Sequence, residues 1–277
     1  MKRTKTITIG GVAARILLAV LLLLTLLPFY LLVINSFKTQ TEIIKVPFAF
    51  PEIWKLSNYV KAFPQVLQPM FNSFLVTAAV IVITLVVSML ASFAFVRYEQ
   101  FPGKNLLYYG IIALLMIPGF VMLIPQYMQV VNMGLYNTYW ALILPPAAYQ
   151  VAMGTFLIRS SMEGIPRSLF EAAEMEGASD LQILVIVVLP LSKAILSTVT
   201  IMTGLNAWNN YIWPLVASSG STTQQIAVAL TKLVASAGDG NGVLFAGYII
   251  ASLPLVILFC FASKYFVAGL TQGAVKG

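Results

Sequence analysis

Histidine is absent from this 277-residue sequence, and cysteine occurs once, as Cys260. No zinc or haem site can be built on those ligands, and no intrachain disulfide can form. Cys260 sits inside an apolar run, VILFCFASKYF, so the redox compartment stays unread. Charge is scarce too. Charged residues are 9% of the chain, against about a quarter in soluble domains. A soluble fold of this size needs a charged surface that 16 Lys and Arg with 9 Asp and Glu cannot cover. What fills the chain instead is apolar: 60% of residues, with a mean hydropathy of +0.91. This is the composition of an integral membrane protein. Its net charge of +7 is therefore a question of which loops hold the cations, not of nucleic-acid binding.

A bilayer core takes about 20 mostly apolar residues per helix. Six such stretches occur, at 11–34, 71–96, 106–130, 138–158, 183–206 and 243–266. The expected fold is all-α, one transmembrane domain over 1–277 with no internal repeat. The first stretch follows Lys2, Arg3 and Lys5 and carries Arg15, as a signal peptide would. It is too long for that role and lacks a small-residue cleavage site, so it reads as a retained helix. With the N-terminus inside, the inner set is Lys2, Arg3, Lys5, Arg15, Arg97, Lys104, Arg159, Arg167, Lys193, Lys264 and Lys276. The outer set is Lys38, Lys45, Lys55, Lys61 and Lys232. That bias of 11 to 5 puts both termini in the cytoplasm. Trp54, Trp140, Trp208 and Trp213 then fall near or beyond the outer ends, where an aromatic belt belongs. Pro28, Pro118, Pro125, Pro145, Pro146, Pro190 and Pro254 lie in the spans and read as packing kinks.

The deep parts of the spans hold no acidic residue, and ion-coupled carriers need such groups to bind the coupling ion. No HExxH and no His base support hydrolysis within the membrane. No GxxxxGK[ST] phosphate loop is present; Phe101-Pro102-Gly103-Lys104-Asn105 lacks both the spacing and the hydroxyl. ATP, if it drives this protein, is hydrolysed on another polypeptide.

Four of the nine acidic residues, Glu171, Glu174, Glu176 and Asp180, crowd one inner loop at about 166–182. Ser168 followed by Glu171 is a capping-box pattern, which predicts a helix starting just after Ser168. Gly177 suits a left-handed helix stop. Ser179 with Gln182 repeats the capping pattern and opens the helix entering the fifth span. A short helix offering Phe170, Ala173 and Met175 among carboxylates has the shape to enter a groove on another protein, and Ala172 and Ala173 permit close approach. The plainer alternative is a solvated connecting loop. Arg159 and Arg167 beside it read as topology anchors.

The run Glu171-Ala172-Ala173, three residues, Gly177, nine residues, then Val187-Val188-Leu189-Pro190 resembles the EAA loop of permease subunits of ABC importers. It departs from the family pattern only in Val187, where the family has Ile. Asn35-Ser36-Phe37-Lys38, Asn58-Tyr59, Phe71-Asn72-Ser73-Phe74, Arg97-Tyr98, Phe101-Pro102-Gly103-Lys104, Gly269-Leu270-Thr271 and the terminal Gly273-Ala274-Val275-Lys276-Gly277 are similar to the sugar-uptake branch, in its shorter maltose-permease-like partner. The resemblance implies the type I importer architecture in a bacterial or archaeal cytoplasmic membrane. It also implies a sister permease, a dimer of ATPase subunits and an extracytoplasmic solute-binding protein. The chain itself would hold no cofactor, with ATP and Mg on the ATPase. Ser168, Phe170, Glu171, Ala172, Ala173, Met175, Gly177 and Asp180 would form the ATPase-coupling loop.

For the solute path, Asn206, Trp208, Asn209, Asn210 and Tyr211 combine amides and aromatic faces, the groups that bind sugars; an interfacial belt with a solvated turn is the plain alternative. Gln126, Gln129, Tyr149 and Gln150 are weaker candidates. Two other functions stay open at this point: a permease of the same superfamily for a polyol phosphate, amino acid or peptide, and a membrane scaffold recruiting a cytoplasmic enzyme.

Overall fold

The computed structural model describes residues 9–98, 100–235 and 241–274, and all regular structure among them is helical. In order these are α1 (Ile9–Ser36), α2 (Gln40–Lys45), α3 (Ser57–Arg97), α4 (Lys104–Leu115), α5 (Leu123–Asn132) and α6 (Tyr139–Met162). Then come α7 (Arg167–Met175), α8 (Asp180–Leu191), α9 (Lys193–Trp208), α10 (Ile212–Ala217), α11 (Ile226–Ala235) and α12 (Asn241–Ala274). Lys2, Arg3, Lys5, Val275, Lys276 and Gly277 lie outside the described residues, as do the Lys264 side chain and the location of the two termini.

Among the described residues three helices are long and apolar enough to cross a membrane, Ala13–Ser36, Ser57–Arg97 and Tyr139–Met162, and a fourth is added if the bent pair α8 and α9 is one span. Two of the expected continuous spans are broken. The stretch at 106–130 divides into α4 and α5 around Pro118-Gly119, because Pro118 supplies no N–H and its ring blocks the preceding turn. The stretch at 183–206 bends by 80° between α8 and α9. Just before the bend, Leu184–Val188 widen into a π-turn, which makes room for the ring of Pro190. The span at 71–96 is the end of a 41-residue helix starting at Ser57. Its first turns escape a hydropathy scan because Asn58, Lys61, Gln65 and Gln68 interrupt the apolar positions, yet Ala62 and Val66 are fully buried. Helix α12 likewise overruns its expected end, reaching Ala274.

The chain divides into two compact units, one from Met1–Val66 with Leu230–Ser252 and the other from Leu67–Ala229 with Leu253–Gly277. In the first, Lys38 is not the solvated loop cation its position suggests. It is buried, and its Nζ donates to the carbonyls of Val46 at 2.9 Å and Pro47 at 3.1 Å. Burial pushes the ammonium below its ordinary range, with Glu42 opposing. Asn58 Nδ2 donates to the carbonyls of Ser36 and Lys38, and a Cβ on Gly242 would lie 2.5 Å from that same nitrogen.

In the second unit α3 and α6 pack through small and hydroxyl side chains. Thr84, Ser88 and Ser92 are fully buried; Ser88 Oγ donates to the carbonyl of Val151 at 3.1 Å and Ser92 Oγ to that of Thr155 at 3.0 Å. Gly154 lets the backbones meet, since a Cβ there would stand 2.5 Å from Ser88 Oγ. Such contacts hold helices together where lipid removes the hydrophobic drive between them. Two apolar clusters flank this seam. One joins Val76, Val80, Leu142, Ala147 and Trp213, and the other joins Met89, Phe93, Ile158, Phe170 and Val188.

Candidate functional site

The acidic loop and the polar end of the fifth stretch fold into two distinct sites of the second unit. The loop helix α7 begins two residues earlier than its capping pattern implies. Pro166 is the N-cap, with no side-chain cap, and Ser168 lies inside the first turn. The preset φ of Pro166 starts the helix without a hydroxyl, and Leu169 N–H donates to the Pro166 carbonyl at 3.1 Å. The end of the helix is as expected. Gly177 takes φ +78°, its N–H reaches the carbonyl of Glu174, and Ala178 N–H reaches that of Ala173, the paired bonds of a Schellman stop. Ser179 and Gln182 form the second capping box, with Gln182 Oε1 accepting from Ser179 N–H at 2.7 Å.

Phe170 departs from the expectation of a partner-facing side chain. It is only 8% exposed and packs under the loop against Ile158, Met162 and Ile183. Ala173 is half-buried against the same cluster. The face left outward carries Ser168, Glu171, Ala172 and Met175, the last 88% exposed. These positions recur at three- and four-residue spacing, so they form one stripe.

Two residues at the end of α3 hold the loop. Arg97 reaches Glu174 with Nη1, and its Nε donates to Asp180 Oδ1 at 2.9 Å. Tyr98 Oη donates to Asp180 Oδ2 at 2.6 Å. The Tyr98 hydroxyl, then Arg97, hold the Asp180 carboxyl below the ordinary carboxylate range. The same bond pushes the Tyr98 phenol up. Sequence reasoning reached Asp180 as a loop residue and missed Arg97 and Tyr98 as its partners, because the ion pair spans 83 positions. Arg159 is more than an anchor: its guanidinium lies 3.6 Å from the Tyr108 ring centroid and 5.5 Å from that of Phe95, while Nε binds Glu163 at 2.9 Å.

The second site is a cavity of about 1130 Å³ bordered by α5, α6, α9 and α10. Asn206, Asn209, Asn210 and Tyr211 all line it. So do Gln126, Gln129, Tyr149 and Gln150, which the sequence offered only weakly. The signal was present in the spacing, since Gln126 and Gln129 share a face of α5. Trp208 does not belong to the wall. It is 5% exposed and absent from the cavity lining, so its ring offers no face to a solute. Trp140, which is exposed, supplies an indole face there instead; Trp213 borders the cavity but is as buried as Trp208, fixed by its Nε1 donating to the carbonyl of Ala141 at 2.9 Å.

Residues 86–272 match the family model described as binding-protein-dependent transport system inner membrane component. The probable ABC transporter permease protein YurM of Bacillus subtilis is 34% identical, over 97% of this chain and 90% of its own length. The arabinooligosaccharides transport system permease protein AraQ of Halalkalibacterium halodurans is 32% identical, over 90% of this chain and 91% of its own. In fold, the chain is similar to a chain from the crystal structure of a bacterial ABC transporter that imports the acidic polysaccharide alginate. The TM-score is 0.83 at 22% identity, covering 96% of this chain and 99% of the other.

Proposed function

We propose, since this chain belongs to the family of binding-protein-dependent transport system inner membrane components, that it is one permease subunit of an ATP-driven importer for a sugar. The name of AraQ supports a carbohydrate cargo. In this reading the chain crosses a bacterial or archaeal cytoplasmic membrane six times, by α1, α3, the α4–α5 pair, α6, the α8–α9 pair and α12. Both termini are cytoplasmic. A sister permease supplies the other half of the path, and an extracytoplasmic binding protein delivers the solute. ATP and Mg are held by the two ATPase subunits and not by this chain.

The observation that carries the reading is the loop helix α7. It turns Phe170 inward, keeps Met175, Ala172 and Glu171 outward, and is clamped by Arg97 and Asp180. A helix fixed on one face and bare on the other is suited to dock in a cleft of the ATPase and to move the permease with it. ATP then closes the ATPase dimer, the docked helix follows as a rigid body, and the cavity switches between inward and outward access. This requires only two discrete states biased by the stability of the closed dimer. Gly177 permits the turn that frees α7 from α8.

Purifying the tagged chain from native membranes in mild detergent tests the reading. A second six-helix permease and an ATPase with a phosphate loop are the expected companions. Recovery of the chain alone, in a preparation that keeps other complexes whole, overturns it.

A further inference from the structure

We infer that the cavity wall of this chain selects an uncharged polyhydroxyl solute, a neutral sugar, and disfavours anionic ones such as uronates and sugar phosphates. The inference rests on the cavity being the solute path. Every polar side chain in the wall is an amide, a phenol or an indole, and none of the lining residues carries charge at neutral pH. An anion entering such a space gives up part of its hydration and meets no cation in the wall to replace it, a cost that a neutral solute does not bear.

Two of the amides keep an acceptor oxygen available. Asn206 Nδ2 donates to the carbonyl of Met202 at 2.8 Å, and Asn209 Nδ2 to that of Leu205 at 3.0 Å. A backbone carbonyl takes only a donor, so one N–H of each amide is engaged on the helix and Oδ1 stays available as an acceptor beside the second N–H. Sugar hydroxyls donate to such oxygens. Carboxylate and phosphate oxygens have no proton to give to them.

At the helix starts near the wall one N–H of each first turn is already engaged. Leu123 N–H donates to the Phe120 carbonyl, Ala141 N–H to Thr138 Oγ1 and Trp213 N–H to Asn210 Oδ1. Each is one of the N–H groups that would otherwise be open to an anion at a helix N-terminus. The exposed faces of Trp140 and Tyr149 complete a wall suited to the apolar side of a pyranose or furanose ring.

The test uses the permease pair with its ATPase in nanodiscs, following tryptophan emission, because Trp140 and Trp213 line the cavity. Titrants are neutral mono- to tetrasaccharides, including arabinotriose and 4-α-galactobiose, and 4-α-digalacturonate, which matches the galactobiose except for two carboxylates. Neutral probes are expected to act at concentrations at least tenfold lower than digalacturonate. Equal or tighter binding of digalacturonate overturns the inference and leaves the permease reading intact. No response to any neutral probe, with sugar uptake by the same complex retained, overturns the cavity as the path itself. The substitution Asn206→Lys is expected to shift the acidic-to-neutral ratio at least fivefold toward digalacturonate, and an unchanged ratio counts against the inference.

Discussion

Arg97 Nε donates to Asp180 Oδ1 at 2.9 Å, tying the last residue of α3 to the first residue of α8. The same guanidinium holds Glu174 in the loop helix, so one side chain fixes both ends of the turn at Gly177. These groups are a quarter to two-fifths exposed, and each exposed ion pair is worth about 0–1 kcal/mol. The importance of the clamp is therefore geometric. It sets where α7 stands relative to α3.

Arg97→Gln leaves the protein inserted and folded but frees α7. Uptake of the transported sugar is expected to fall at least tenfold while ATP hydrolysis by the complex falls much less. Measuring both rates on one preparation distinguishes this from simple loss of protein, in which the two would fall together.

The pH response follows from Asp180. Its carboxyl is held low by the Tyr98 hydroxyl first and by Arg97 second. A depressed folded-state value means that the stabilisation is complete above the ordinary carboxylate range, about pH 4. It is then lost as the pH falls through the depressed value. A fluorophore on Met175→Cys, in a Cys260→Ala background, should keep constant anisotropy from about pH 8 to about pH 5 and lose it below about pH 4. Asp180→Asn should abolish the transition.

Gly177 has φ +78° and open space where a Cβ would go. Substitution there strains only the backbone, by roughly 1–2 kcal/mol for an ordinary residue. Gly177→Asn should retain most transport, Gly177→Val should lose part of it, and Gly177→Pro, which also removes the N–H given to Glu174, should abolish it. Uptake normalised to membrane-inserted protein ranks the three, and full activity of the proline variant would remove α7 from the coupling role.

Gly154 poses the opposite problem, since a Cβ there would meet Ser88 Oγ at 2.5 Å and Ser88 Cβ at 3.0 Å. Gly154→Ala should destabilise the α3–α6 seam by about 1–3 kcal/mol, as overpacking does. Adding Ser88→Gly should restore much of the loss. Thermal unfolding of the purified variants in one detergent checks both.

Much of this protein was legible from its sequence because the bilayer is a strict solvent. A chain that is 60% apolar with 9% charge must be buried in lipid, and helices are what such a chain can form there. Gly177 and the Ser179–Gln182 box were readable for a related reason: turn and cap geometry is fixed within a few residues. Ser168 shows where local rules compete. It fits a capping box, but Pro166 two positions earlier starts the helix first. The amides of Asn206, Asn209 and Asn210 stood out as a cluster in sequence, whereas Gln126, Gln129 and Gln150 reach the same cavity from other helices.

Tertiary structure alone decided what lies at a distance. That Phe170 turns inward, that Trp208 is buried while Trp140 faces the cavity, and that Arg97 finds Asp180 across 83 positions are outcomes of which helix faces meet. The Ser88–Gly154 contact belongs with them, because neither residue has a neighbour in sequence that announces the other. Composition and periodicity determine that a segment becomes a helix and that it enters lipid. They leave open its rotation about its own axis and which of its prolines break it, as Pro118 does and Pro28 and Pro254 do not, which are set by packing against other helices.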